Sequence, residues 1–116
     1  MVASEVEEAI KSVLAENKYK VIVKDIWEKS LTSGTMGFRL IYGIKEDSVV
    51  IARLGMNSIR LTIILRNSLS SEKASRLEED GWKIDVRDEE TVLSLRINNV
   101  QTEARYIWEL LVKSLG

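Results

Sequence analysis

The chain has no cysteine, no histidine and no proline among its 116 residues. Without thiols or imidazoles it cannot build a zinc finger, a redox dithiol, a Cys–His pair or a Ser–His–Asp triad. It also lacks the spacing of a phosphate-binding loop, a dinucleotide fingerprint or a nucleophile elbow. We therefore expect a non-enzymatic protein with no cofactor, no metal ion and no evident small-molecule substrate.

Long apolar runs are missing as well, and none approaches the ~20 residues needed to cross a bilayer. The N-terminal stretch "MVASEVEEAIKS" is acidic, whereas a signal peptide begins with a basic region followed by an apolar one. These features predict a cytoplasmic protein that does not enter a membrane. The missing cysteine and the abundant Ile, Val, Glu and Lys are compatible with a thermophile, but the missing proline argues the other way.

What the chain does contain is typical of one globular domain spanning residues 1–116, with 45% hydrophobic and 30% charged residues. The net charge is only −1, but the charges are segregated along the sequence. Residues 30–71 carry five basic and two acidic groups, whereas residues 72–90 carry four basic and eight acidic groups. The acids lie mostly in predicted helices and turns, and most arginines lie in predicted strands.

Hydrophobic periodicity predicts an α+β fold with the order α-β-β-β-β-α-β-β-α. Apolar residues three and four apart indicate helices, and alternating β-branched and aromatic residues indicate strands. Ser4 is a candidate N-cap for the first helix, Ser70 or Ser71 for the second, and Gly81 closes the second. The predicted elements are helix 3–16, strands 19–27, 37–44, 49–54 and 58–66, a short helix ending before Gly81, strands 82–86 and 91–98, and helix 101–115.

Short loops join the first four strands, which favours an antiparallel sheet in two layers with all helices packed on one face. In strand 37–44 the large apolar residues Phe38, Leu40, Tyr42 and Ile44 are predicted to face the core, and in strand 58–66 the odd-numbered residues do so. Arg53 is difficult to bury, so its neighbours of the same parity are assigned outward. The predicted outer face comprises Arg39, Ile41, Ile51, Arg53, Arg60, Thr62, Ile64 and Arg66.

This arginine-edged apolar face has three interpretations. It is a solvated sheet face on which arginine stems cover β-branched neighbours, a protein interface, or a platform for single-stranded DNA or RNA. We expect a protein-binding or assembly module, either a homodimer or a subunit of a larger complex. Nucleic-acid binding is the alternative, and it is weakened because Phe38 and Tyr42 are predicted to point inward.

The last helix is predicted to pack through a stripe formed by Ala104, Ile107, Trp108, Leu111 and Leu115. Tyr106 and Leu110 widen its apolar arc beyond that stripe, and they are candidates for a second contact surface. Trp82 is predicted to be buried, because it shares its strand face with apolar residues. Trp27, at a strand end, is the candidate for an exposed tryptophan.

Asp25 is the most notable carboxylate, because it shares strand parity with Val21, Val23 and Trp27. Buried beside an aromatic ring, it could serve as a general acid. Alternatively, the strand is an edge strand with a bulge, or Lys24 or Lys29 pairs with Asp25 at the surface. The acidic runs 78–80 and 88–90 do not converge on one point and are predicted to be solvated.

The order of predicted elements resembles the chaperone fold of type III secretion, a small α+β domain that dimerises and holds an extended protein segment. Residues 59–111, which run strand, helix, two strands, helix, are similar in order to the small dimeric subunit of the KEOPS tRNA-modifying complex. That family's closing helix has an Arg and a later Asn-Ser pair; Arg105 is present here, but Trp108-Glu109 follows it. Both resemblances lie in element order, and neither assigns a functional residue.

Overall fold

The computed structural model describes residues 2–30, 34–55, 58–98 and 104–115. Its elements have the predicted order α-β-β-β-β-α-β-β-α and form an α+β fold with a six-stranded antiparallel sheet. The helices are α1 (Val2–Glu16), α2 (Ser71–Glu79) and α3 (Ala104–Leu115). The strands are β1 (Lys20–Ser30), β2 (Gly34–Ile44), β3 (Ser48–Leu54), β4 (Ile59–Leu65), β5 (Lys83–Val86) and β6 (Thr91–Ile97).

The sheet has the strand order β1-β2-β3-β4-β6-β5, so β1 and β5 are its edges. The first four strands are neighbours in both sequence and space, as expected when short turns join antiparallel strands. After β4 the chain forms α2, returns as the edge strand β5, and turns back as β6 against β4. Among the described residues, no helix is long and apolar enough to cross a bilayer.

All three helices pack on one face of this sheet. The buried strand residues Val50, Ile63 and Leu93 are register partners and therefore point to the same side. They form one cluster with buried residues of α1, α2 and α3, including Leu14 and Ile107. We call this side the helix face and the opposite side the open face.

A glycine lets α1 approach β2 closely. A Cβ atom added at Gly43 would lie 2.8 Å from Cδ2 of Leu14, nearer than a real Cβ contact. Leu14 is fully buried, so the helix face of β2 is occupied by α1 at this point. The neighbouring residue on that face, Ile41, is also fully buried.

Two helices end with a residue in the left-handed region. Lys18 has φ 65° after α1, and Gly81 has φ 101° after α2, as predicted for that glycine. In each case the next N–H bonds back to a helix carbonyl, from Tyr19 to Leu14 and from Trp82 to Leu77. The backbone thereby turns each aromatic side chain into the core, where both are buried.

Some element limits differ from those expected. Helix α1 begins at Val2, so Ser4 lies inside it and is not its N-cap, whereas Ser70 caps α2 by accepting a hydrogen bond from the backbone N–H of Lys73. Strands β1 and β2 reach Ser30 and Gly34, so they are longer than the predicted ranges 19–27 and 37–44. Residues 31–33 of the predicted loop and residues 101–103 of the predicted last helix lie outside the described residues.

The predicted inside–outside assignment is confirmed for β3 and β4 but is wrong for β2. Leu61 and Ile63 are fully buried on the helix face, as expected. In β2, however, Ile41 is buried, while Leu40 and Tyr42 pair with Arg53 and Ile51 and so share the open face with them. The reason is the approach of α1, which covers the side of β2 that has the small residue.

Candidate interaction surface

The side chains of the open face lie in rows that run across the strands, because each register pair places its two residues on the same side. We name three rows. The aliphatic row comprises Lys20, Ile44, Val49, Ile64, Val92 and Asp85. The mixed row comprises Ile22, Tyr42, Ile51, Thr62, Ser94 and Lys83. The arginine row comprises Lys24, Leu40, Arg53, Arg60 and Arg96.

The apolar members of the first two rows are only partly shielded from solvent. Ile44 is 41% exposed, and Val49, Ile51, Ile64 and Val92 are half-buried by their neighbours in the sheet. None of them belongs to the hydrophobic core, which does include half-buried residues of the helix face. The described helices therefore leave a contiguous apolar strip on the open face.

The arginine row brings like charges together on three adjacent strands. Arg60 lies directly opposite Arg53 on one side and Arg96 on the other, and all three side chains are exposed. Within the part of the chain that the structure describes, none of the three forms an ion pair with a carboxylate. Like charges directly opposite each other destabilise a sheet. The arginine row therefore destabilises the sheet, and no carboxylate of the described chain compensates for this repulsion.

Aromatic side chains also lie on the open face. Phe38 lies two residues before Leu40 and on the same side of β2, and the guanidinium carbon of Arg53 lies 4.1 Å from the centroid of its ring. Tyr42 occupies the mixed row between Ile22 and Ile51. Sequence reasoning missed these residues because it placed them in the core.

The opposite end of the open face is rich in carboxylates. Beyond the aliphatic row lie the turn between β2 and β3 and the turn between β5 and β6, and Arg66 follows β4 between them. We call this region the acidic end. It comprises Glu46, Asp47, Arg66, Asp88, Glu89 and Glu90. The same turns also carry Lys45, which lies over the ring of Tyr19, and Arg87, which pairs with Asp85. Within the described residues none of the six members of the acidic end forms an ion pair.

Most of the predicted outer face lies where it was expected. Ile51, Arg53, Arg60, Thr62 and Ile64 point to the open face by register, and Arg66 is exposed just beyond β4. Arg39 and Ile41 do not belong to it, because they share the helix face with Ala52 and Leu54. Their assignment to the interaction face was wrong.

Arg39 lies at the rim of the helix face, where it ties β2 to β1 and α1. Its Nε donates to Asp25 at 2.7 Å, and its Nη1 donates to Glu7 at 2.7 Å. These two carboxylates, Asp25 foremost, raise the pKa of Arg39. This arginine is thus saturated by acids of its own chain, unlike those of the arginine row.

Of the two residues predicted to form a second contact surface on α3, one is exposed and the other is buried. Tyr106 is 45% exposed, but Leu110 is 7% exposed and packs inside, so its assignment to a contact surface was wrong. Part of the wide apolar arc of α3 faces its own domain, because α3 packs against α1 and its Ile107 and Leu111 join the core cluster. The predicted stripe through Ile107 and Leu111 is confirmed.

Asp25 has its partner at the surface, as the second interpretation expected, and among the described side chains this partner is Arg39, not Lys24. The side chain of Lys29 lies outside the described residues. The side chains of the two acidic runs are mostly exposed, and in the described part of the chain no three acids are grouped to hold a metal ion. Trp82 is buried as predicted, and its Nε1–H has no acceptor among the described residues. The side chain of Trp27 lies outside the described residues.

One polar pair is buried at the edge of the core. The hydroxyl of Tyr19 and that of Ser48 lie 2.7 Å apart, and Lys45 covers the tyrosine ring at 4.5 Å from its centroid. Burial raises the pKa of Tyr19, and the hydrogen bond with Ser48 partly opposes this. The pair joins the residue that precedes β1 to the first residue of β3 and so lies at the border between core and acidic end.

The fold and the surface together define a two-layer α+β protein with one sheet face uncovered by the described helices. No protein-family model matches the chain, and no curated protein or solved structure is significantly similar to it.

Proposed function

We propose that the protein is a non-enzymatic binding module that docks another protein chain, either a second copy or a different subunit of an assembly, on the open face of its sheet. The observation that carries this proposal is the apolar strip of the aliphatic and mixed rows. Its apolar members are half-buried or exposed, and none of them belongs to the core cluster or to the residues packed against it. Contiguous exposed apolar patches rimmed by polar groups are typical of interaction sites.

The chemistry of the strip favours binding over catalysis. Its side chains are mostly aliphatic, with hydroxyl groups from Thr62 and Ser94 and guanidinium groups at one border. At neutral pH these groups do not exchange protons with a substrate, but they do fill pockets and donate hydrogen bonds. Aromatic residues and arginine around an apolar centre are the residue types that protein interfaces favour.

The test is a matched pair of charge insertions. Ile64→Glu places a carboxylate at the centre of the aliphatic row, between Val49 and Val92. Val86→Glu places one at the edge strand β5, where the side chain is already 73% exposed. We expect every association of the protein, measured by sedimentation velocity and light scattering, to be weakened by the first change and preserved by the second.

An association that survives Ile64→Glu unchanged would contradict the proposal, because the docked chain would then lie elsewhere. So would a wild-type protein that stays monomeric at high concentration and captures no partner in an Ile64-dependent manner. Circular dichroism of both variants controls for folding.

A second candidate function is binding of single-stranded DNA or RNA. The observation in its favour is that Phe38 and Tyr42 share the open face with the arginine row, whereas the sequence had predicted them to be buried. Single-strand binding surfaces combine stacking aromatic rings with cations that follow the phosphates. Replacing Arg53, Arg60 and Arg96 with glutamine should lower the slope of log affinity against log salt by about 2. Affinity that does not depend on salt would rule this candidate out.

A further inference from the structure

The open face has opposite charges at its two ends, with the apolar strip between them. The arginine row forms one end, and the acidic end lies beyond the aliphatic row. Along β3 the distance from Arg53 to Asp47 is six residues, and along β6 the distance from Arg96 to Glu90 is also six residues, or about 20 Å in extended chain. The charges of both ends are unpaired within the described chain, as shown above.

The midpoints of these two stretches of chain lie on one line across the strands of the sheet. Val50 lies halfway between Asp47 and Arg53, and Leu93 lies halfway between Glu90 and Arg96. Val50 and Leu93 are both register partners of Ile63, so one line across the strands passes through both midpoints. On the open face this line runs between the aliphatic row and the mixed row.

We propose that the chain docked on the open face is a second copy of this protein, packed face to face about a two-fold axis that runs across the strands above the line Val50–Ile63–Leu93. This inference rests on the proposed function and names its partner. A rotation about such an axis exchanges the two ends of the face. The arginine row of one copy then lies over the acidic end of the other, twice in each dimer.

The same rotation places the apolar rows on each other. The aliphatic row of one copy lies over the mixed row of its partner, so that Val49 faces Ile51, Ile64 faces Thr62, and Ile44 faces Tyr42. Two sheets that pack in this way lie about 10 Å apart with their strands about 30° from parallel. A closed, isologous dimer of this kind is the commonest oligomer of soluble proteins.

The charges select this orientation over the alternative. With an axis along the strands, the arginine row of each copy would lie over the arginine row of the other, and like charges would be brought together. Arg66 does interrupt the acidic end on the strand of Arg60, and the two turns also carry Lys45 and Arg87. Lys45 lies over the ring of Tyr19 and Arg87 pairs with Asp85, so five unpaired acids still surround Arg66. The net attraction therefore belongs to the arrangement in which the ends are exchanged.

The size and chemistry of the face fit a second copy better than a nucleic acid. Six strands, of which β4 has seven residues, give a footprint of roughly 29 × 23 Å. This is close to the ~800 Å² per partner of a stable interface once side-chain relief is included. A phosphate backbone would be repelled by the acidic end, and it would leave the aliphatic row uncovered.

Reciprocal charge reversal tests the orientation. The arginine-reversed variant carries Arg53→Glu and Arg96→Glu, and the acid-reversed variant carries Asp47→Lys and Glu90→Lys. We expect each change to raise the dissociation constant of the dimer at least about tenfold at low salt, because both ends then repel. In an equimolar mixture the four substituted positions of each copy face opposite charges again, as in wild type, so we expect a heterodimer to form within about threefold of the wild-type affinity.

Sedimentation equilibrium measures the affinities, and native mass spectrometry identifies the heterodimer by mass. A chain carrying all four changes is a further control and should dimerise with itself. Far-ultraviolet circular dichroism and thermal melts of each variant establish that the monomers are folded, since the four side chains make no ion pair in the described chain.

The outcomes separate this inference from the proposed function. If wild type is dimeric and Ile64→Glu is monomeric, but the mixture of reversed variants does not associate, the open face is the interface and the orientation inferred here is wrong. A wild-type protein that stays monomeric at millimolar concentration, whether or not it binds RNA or another protein, also overturns the inference. A dimer that persists in Ile64→Glu overturns both proposals.

Discussion

The two faces of the sheet are made of the same strands and similar residues, but their arginines differ in whether a carboxylate of the same chain pairs with them. On the helix face the cation at the rim, Arg39, is held by Asp25 and Glu7. On the open face Arg60 has only other arginines as its cross-strand neighbours. The arginine at the rim of the helix face is therefore paired with carboxylates of its own chain. The arginines of the open face have no such partners among the described residues.

The apolar residues show the same contrast. Ile63 and Ile64 are consecutive in β4; the first is fully buried against the helices, and the second is half-buried and outside the core. Because both are isoleucine on one strand, neither composition nor β-propensity distinguishes the two faces. What distinguishes them is the helical layer, which supplies packing partners on one side only.

The largest effect should come from truncating this pair. We expect Ile63→Ala to lower the free energy of unfolding by about 2–5 kcal/mol, because it leaves a cavity in a closed core. We expect Ile64→Ala to cost about 1 kcal/mol or less at concentrations where the protein is monomeric, because its side chain has fewer packing partners. Urea unfolding of both variants measures the difference, and equal losses would mean that the open face is covered in the monomer.

The next effect concerns the place where α1 meets β2. We expect Gly43→Ala to destabilise by about 1–3 kcal/mol, because the new methyl group would overlap Leu14, whose Cδ2 lies 2.8 Å away. In a Leu14→Ala background the same change should cost much less, since the obstructing atoms are gone. A double-mutant cycle by urea unfolding gives the coupling, and a coupling near zero would show that α1 does not approach β2 this closely.

The sequence predicts most of the fold, but it does not show which face of β2, the strand that contains Gly43, is buried. The element order, the antiparallel sheet, the cap of α2 and the outward arginines of β3 and β4 follow from periodicity and local chemistry. In β2 both alternating sets contain large apolar residues, so periodicity alone does not identify the buried one. A signal was nevertheless present, because Ile44 and Val49 flank one short turn and pair directly. Direct partners share a face, so assigning Val49 outward required Ile44 to be outward too.

A smaller effect is expected at the border of the core, where Tyr19 meets Ser48. Tyr19→Phe should cost about 1 kcal/mol at neutral pH, because a buried hydrogen bond is lost. Burial raises the pKa of Tyr19 above its ordinary value of 10.0, so the folded state favours the neutral phenol. The neutral phenol therefore contributes to the free energy of unfolding of wild type. This stabilisation is fully present below pH 10.0 and is lost as the pH rises through the folded-state pKa of Tyr19.

The measurement is urea unfolding of wild type and Tyr19→Phe on both sides of that pH. The stability difference between them should shrink as the pH rises, because only wild type loses this contribution. Ser48→Ala is the control, since it removes the hydrogen bond but keeps the phenol. A difference between wild type and Tyr19→Phe that does not change with pH would show that the hydroxyl is solvated in the folded protein.

The smallest effect should appear when one arginine on each side of the sheet is neutralised without a large change in length. We expect Arg39→Gln to lower the free energy of unfolding slightly, because two ion pairs at an exposed site are lost. We expect Arg60→Gln in the monomer to raise it by a few tenths of a kcal/mol, because repulsion from Arg53 and Arg96 is relieved. The effects of the two substitutions on the free energy of unfolding should both become smaller as salt is added, since screening weakens both the attraction and the repulsion. Urea unfolding at low and high ionic strength resolves the opposite signs of the two effects.

If Arg60→Gln destabilised the monomer as much as Arg39→Gln, Arg60 would have a carboxylate partner within its own chain. The arginine row would then not be left for a second copy.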